Sequence, residues 1–271
     1  IEDEASQALH VLDIKQDGSF KENKRLTQKL MKSFNTKLND LEGVTLGPDG
    51  YIYAITSHQR NLSGERSSDR EQLIRFKIEG NRIIDVGSYG KLTDDIEQSG
   101  ILGEVDEQGN GGIVNINIES LCFDREGNLL IGFRAPLNSE KTIVGVLENP
   151  TDIFEYKAKP IISPQPLLLD LFGGGIRAMS YDRILRGYLI SNEIYGINNN
   201  KKKVSQILFW DGEKTHRTHR MAQPGLKNIE GITSVRYGDN TRILLSSDDG
   251  KKAKEKTASY LFLKYIELSD K

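Results

Sequence analysis

Cysteine is almost missing from this chain. Cys122 is the one thiol among 271 residues, so no intrachain disulfide can form. It lies in an apolar run where a small thiol packs well, and no histidine or other activating base is near it in sequence. Such poverty suits the cytosol and a bacterial periplasm equally. Long apolar runs are also absent. None approaches the ~20 residues that a helix needs to cross a bilayer, so no membrane span is expected. Excess charge is lacking too. The 37 Lys and Arg against 39 Asp and Glu leave a net charge of −2, and nucleic acid is not an expected partner. Lys201-Lys202-Lys203 and Lys251-Lys252 adjoin Asn, Gly and Asp and read as solvated loop tips. There is no Gly-x-Ser-x-Gly elbow, phosphate-binding glycine loop or His-Glu-x-x-His helix. The sequence opens on Ile1 rather than Met, and no signal peptide is visible. Residues before Ile1 and the compartment (periplasmic, secreted or cytoplasmic) are left open.

What the chain does contain is one phrase written four times. Leu41-Glu42-Gly43-Val44-Thr45-Leu46, Ile118-Glu119-Ser120-Leu121-Cys122-Phe123, Ile176-Arg177-Ala178-Met179-Ser180-Tyr181 and Ile229-Glu230-Gly231-Ile232-Thr233-Ser234 share a pattern. Each opens on an apolar residue, then a charge, then a small residue, then an apolar run. A turn and a second apolar run follow each phrase. Gly47-Pro48-Asp49-Gly50 and Asp124-Arg125-Glu126-Gly127 are such turns, with glycine supplying a positive φ. Tyr51 to Thr56, of alternating aromatic and β-branched residues, and Asn128 to Phe133 are second strands.

Repeated meanders at regular spacing predict an all-β fold, a single β-propeller over 1–271. Four units plus the opening fragment Ile1 to Leu26 give about five blades of four antiparallel strands, or six if residues precede Ile1. The opening fragment lacks inner strands and the last unit lacks its outer strand, an arrangement that suits ring closure by the N-terminus. Leu26 to Phe34 fits a short helix as an alternative to strand. Lys91 to Ile113 is rich in Asp, Glu, Gln and Gly and reads as a surface insertion, a candidate lid. A Greek-key sandwich is the competing architecture, but it does not explain why a charge recurs at one place in every unit.

In a propeller the first strand of each blade lines the channel. Glu42, Glu119, Arg177 and Glu230 therefore converge on one axis. The ends of the second strands give a companion ring of His58, Arg134, Glu193 and Asp248 or Asp249, with Glu2-Asp3-Glu4 at the same place in the opening fragment. Charges gathered in a low-dielectric channel must be paired or hold a ligand. One reading is mutual pairing, with Glu42, Glu119 and Glu230 on Arg134 and Arg177, holding the blades in register. The other is a site. Glu42, Glu119, Glu230 and Asp248, with Asn192 beside them, offer hard oxygen ligands for Ca²⁺ or Mg²⁺. Arg134 and Arg177, with Glu193, would bind a small anionic substrate. His58, Glu119 and Glu230 would supply general acid–base chemistry. His216 and His219 sit in a polar stretch and read as exposed. Gly173-Gly174-Gly175 reads as a tight entry to the third phrase rather than a phosphate cradle.

The phrases also carry a resemblance. Asn117-Ile118-Glu119-Ser120-Leu121 with Leu130 to Leu137, Gly174-Gly175-Ile176-Arg177-Ala178, and Asn228-Ile229-Glu230-Gly231 with Leu244 to Gly250 occur in that order. From about Leu41 to Gly250 the chain resembles the uncharacterised bacterial propeller family named domain of unknown function 3616. More distantly it is similar to esterase-like phytase propellers and calcium-dependent lactonase propellers. The resemblance implies acids around a channel-bound metal. The chain departs by placing Arg134 and Arg177 where a metal ring would want oxygen. Two functions are carried forward. One is a metal-assisted hydrolase of phosphate or carboxylate esters, and the other a non-catalytic propeller binding module with structural channel salt bridges. A monomer is expected in both.

Overall fold

The computed structural model describes residues 9–103, 115–195, 203–214, 217–248 and 258–268. Glu2-Asp3-Glu4, Gly109 to Gly112, Lys201-Lys202, His216, Asp249 and Lys251-Lys252 lie outside them. The chain starts with a hairpin of β1 (Leu12–Ile14) and β2 (Phe20–Glu22), followed by helix α1 (Lys24–Ser33). The Gln16-Asp17-Gly18 turn closes the hairpin, with Gly18 at φ 84°. Asn23 caps α1, its side chain accepting from the Leu26 N–H at 3.1 Å. The short helix that fits Leu26 to Phe34 is thus formed, beginning two residues earlier at Lys24.

Three four-stranded antiparallel sheets and one three-stranded sheet follow. Blade one is β3 (Leu41–Leu46), β4 (Ile52–Thr56), β5 (Leu73–Glu79) and β6 (Arg82–Tyr89). After helix α2 (Leu92–Ser99) comes blade two: β7 (Asn117–Phe123), β8 (Leu129–Asn138), β9 (Lys141–Leu147) and, beyond helix α3 (Pro150–Glu155), β10 (Leu167–Leu169). Blade three is β11 (Ile176–Asp182), β12 (Gly187–Tyr195), β13 (Lys203–Trp210) and β14 (His219–Ala222). Blade four is β15 (Ile229–Tyr237), β16 (Asn240–Asp248) and β17 (Ala258–Leu263), ending in a 3₁₀ turn at Tyr265–Leu268. The inner strands pack in sequence, β3 on β7, β7 on β11 and β11 on β15. The fold is a β-propeller of four blades.

The core is divided among the blade interfaces. Tyr53, Leu73, Leu121 and Phe133 join blades one and two. Leu130, Val144, Met179 and Trp210 join two and three. Ala178, Ile207, Ile232 and Leu245 join three and four. On the other face of blade one, Leu9 and Leu30 cover Ala54, Ile74 and Phe76. Phe20 meanwhile packs edge-on against Tyr260 at 5.0 Å and stacks on Phe262 at 6.0 Å. The N-terminal hairpin and α1 therefore wedge between the last blade and the first, in the sector where a fifth blade was expected. A hairpin and a ten-residue amphipathic helix suffice there because they bury the two apolar blade faces that would otherwise meet water.

Lys91 to Ile113 reads as a surface insertion, but its described part packs into the core. α2 lies in the interface of blades one and two, with Leu92 and Ile96 fully buried and Ile101 beside them. Leu92 and Ile96 are four residues apart and share a helix face, a period hidden by the acidic residues around them. Asp94 and Asp95 suit the first turn, and Gly100 ends the helix in the left-handed region at φ 73°.

Candidate functional site

The four repeated charges occupy one structural position, and a backbone device creates it. In every blade the inner strand carries a β-bulge at the charge. Register shifts fall between Leu41 and Gly43, Ile118 and Ser120, Ile176 and Ala178, and Ile229 and Gly231. Glu42, Glu119, Arg177 and Glu230 are the extra residues. A bulge frees one residue from the ladder and re-aims its side chain, so the strand keeps its alternation on both sides while one charge turns out of the sheet. The residue before each apolar opener helps the chain enter this bend. Asp40 and Asn228 adopt φ 61° and 47°, and each carbonyl accepts from the end of the second strand, Ser57 N–H at 2.8 Å and Asp248 N–H at 3.2 Å. Gly175 holds this place in blade three, where a Cβ would overlap the Arg134 carbonyl oxygen.

Three of the expected pairings are formed. Arg134 Nη1 donates to Glu119 Oε1 at 2.7 Å. Arg177 Nη1 lies 2.9 Å from both oxygens of the same carboxylate. Arg177 Nη2 donates to Glu230. Asn117 Nδ2 adds a long contact to Glu119 Oε1 at 3.4 Å. The Glu119 side chain is 3% exposed and that of Arg177 9%, whereas Arg134 at 40% forms the open side. Burial raises the Glu119 carboxyl pKa, and the Arg177 and Arg134 guanidiniums oppose that rise. Burial works equally against the charge of Arg177, but Glu119, Glu230, Glu193 and Glu42 outweigh it and push its pKa up. Arg177 is thus the hub of the ring, with carboxylates from all four blades about it. Glu193 also pairs with Lys203 at 3.2 Å across blade three, a partner with no repeat signal in the sequence.

The companion ring needs a correction at His58. Register places Ser57, Arg134, Glu193 and Asp248 at equivalent positions, each just past the residue paired with the apolar opener. The Ser57 hydroxyl donates to Asp40 Oδ2 at 2.5 Å. His58 is one residue further, at φ 56°, and is fully buried. Its Nδ1 meets Thr93 Oγ1 of α2 at 2.8 Å, so it ties the helix to blade one. Burial lowers its pKa to about 3, and the positive charge of Arg66 adds to this. A base this reluctant to take a proton, turned toward α2, is poorly placed for general-base work in the channel. Counting ladder partners from the opener, rather than looking for the nearest charge, would have found Ser57.

The metal reading also meets the arginines. Glu119, its central ligand, already accepts from two guanidiniums, and a cation there would face Arg177 at close range. Among the described residues no group of three or more His, Cys, Asp or Glu has the geometry to hold a metal ion. The donor set therefore does not fit the implied Ca²⁺ or Mg²⁺. Cys122 is buried, and desolvation pushes its thiol up to about 12, which leaves no thiolate for chemistry. No helix among the described residues is long and apolar enough to cross a membrane. The chain matches no model of a known protein family, and no curated protein matches it significantly.

Proposed function

We propose that the channel charges are a structural ion-pair hub and that the protein is a non-catalytic propeller binding module. The observation that carries this reading is the capture of the buried Glu119 carboxylate by Arg134 and Arg177, from blades two and three, with Glu230 of blade four on the same Arg177. Each inner strand lends one charge, so the hub fastens neighbouring blades where their backbones converge. A buried carboxylate with both oxygens engaged has little capacity to ligate a cation or protonate a leaving group.

The metal-assisted hydrolase makes the opposite forecasts. The test is melting temperature with Ca²⁺, Mg²⁺ and EDTA, alongside an unbiased esterase and phosphatase screen. The hub predicts no divalent-ion response and no turnover. A cation-induced rise that disappears in Glu119→Gln, together with turnover lost in the same variant, would establish the hydrolase and overturn the hub.

A further inference from the structure

The chain as a whole is nearly neutral, but its N-terminal wedge is not. Between Leu9 and Leu38 stand Lys15, Lys21, Lys24, Arg25, Lys29, Lys32 and Lys37, against Asp13, Asp17 and Glu22 alone. The balance elsewhere is correspondingly acidic. Within the wedge the cations are sorted by helix geometry. At 3.6 residues per turn, Leu26, Thr27 and Leu30 share the face of α1 that is buried against blade one. Lys24, Arg25, Gln28, Lys29 and Lys32 fall on the opposite arc, and all five are exposed. Lys21, on the neighbouring strand β2, is exposed too.

Two further observations separate this face from an ordinary solvated helix. Among the described residues, Lys24, Arg25, Lys29 and Lys32 form no salt bridge, although Lys24 is close enough to Glu22 to help lower its carboxyl pKa; Lys29 Nζ touches only the Asn81 carbonyl oxygen, at 2.5 Å. The first turn contains no acid but has Lys24 and Arg25 in it. Cations there are opposed by the positive end of the helix dipole, and Arg25 also by Lys29 one turn on, so the arrangement costs stability that a neutral or acidic turn would not. Lys24 and Arg25, without a salt bridge at an unfavourable helix end, and Lys29 and Lys32 beyond them are poised for an external anion.

We propose that the outer face of α1 is an electrostatic docking surface for an anionic phospholipid bilayer. The geometry favours a broad anionic plane over a nucleic acid strand. The cations stand on a convex helix flank rather than in a groove that could track a phosphate chain. No aromatic side chain accompanies them for base stacking, and Gln28 is the sole amide on the face. The apolar face of α1 is already spent on blade one, so the helix adsorbs by charge and does not insert. The surface lies on the flank of the ring and is independent of what the channel does.

The experiment is sedimentation of the full chain with vesicles of phosphatidylcholine alone and of phosphatidylcholine with phosphatidylserine, at low and high salt. Binding is expected only to the phosphatidylserine vesicles, with loss at high salt. Each basic side chain at an anionic surface multiplies binding about fivefold, so the quadruple change Lys24→Gln, Arg25→Gln, Lys29→Gln and Lys32→Gln should lower the partition coefficient by about six-hundredfold. That variant should melt no lower than the parent, because it relieves repulsion in the first turn. Should it fail to fold, Lys29→Gln with Lys32→Gln leaves the first turn untouched and is expected to lose about twentyfold. Failure of the parent to sediment, binding unchanged in the folded variant, or retention of single-stranded RNA where vesicles are not retained would each overturn the proposal.

Discussion

Arg177 and Glu119 illustrate how a buried pair constrains a site. Neither charge is tolerable alone at that depth, and each is held by the other and by a second partner. Arg177→Met should therefore destabilise the protein by about 3–5 kcal/mol in urea denaturation, because Glu119 is left as a buried uncompensated carboxylate. Adding Glu119→Gln should recover much of that loss; a double variant no better than the single one would mean the two residues do not interact. His58 supplies a pH signature. Its folded pKa of about 3 lies below the ordinary 6.5, so folding requires the neutral ring. The stability it allows is complete above pH 6.5 and declines as the pH falls toward 3, by up to about 1.4 kcal/mol per pH unit. Between pH 6.5 and 5, before most carboxylates titrate, melting temperature should fall in the parent and less steeply in His58→Gln. Equal slopes would show that His58 can charge without penalty.

At the scale of the element, the repeated bulge and α2 do the positioning. The bulge makes one charged residue per blade possible without breaking the inner strand. This explains why the phrase reads apolar, charged, small: the small residue resumes the ladder where the adjacent blade passes closely. A Cβ on Gly43 would lie 2.9 Å from the Leu121 nitrogen. α2 is a structural helix in sequence that looks like loop. Ile96→Ala should cost about 2–5 kcal/mol, the range for an aliphatic truncation at a fully buried site, read from chemical denaturation. A cost below 1 kcal/mol, as at an exposed position, would show that the stretch is the surface insertion its composition suggests.

For the whole molecule, the informative feature is the wedge that stands in for a blade. It couples the first residues described to the last blade through Phe20 and to the first through Leu9 and Leu30. Leu30→Ala should destabilise the propeller globally, by about 2–5 kcal/mol, with a single cooperative transition. An early, separate transition of the N-terminal region would instead show that the ring holds without it. The same placement puts the basic face of α1 on the outside of the ring, where a planar partner has access.

Sequence alone determined the repeat, and with it the all-β class, the propeller and the residues of the central ring. Those signals are local: an alternating run, a glycine turn and a charge at a fixed offset, visible within ten residues of each phrase. It also raised the pairing of Glu119 with Arg134 and Arg177, because charges forced together must be neutralised. Only tertiary structure decided the rest. Whether the fifth sector held a full blade or a hairpin and a helix depended on which apolar blade faces were left to cover. His58 and Ser57 exchanged places because a bulge shifts the register by one residue. α2 became core because Leu92 and Ile96, whose i,i+4 period is masked by acidic neighbours, found an interface. Burial against distant residues sets each of these outcomes, and nothing in a short stretch of sequence records what it will be buried against.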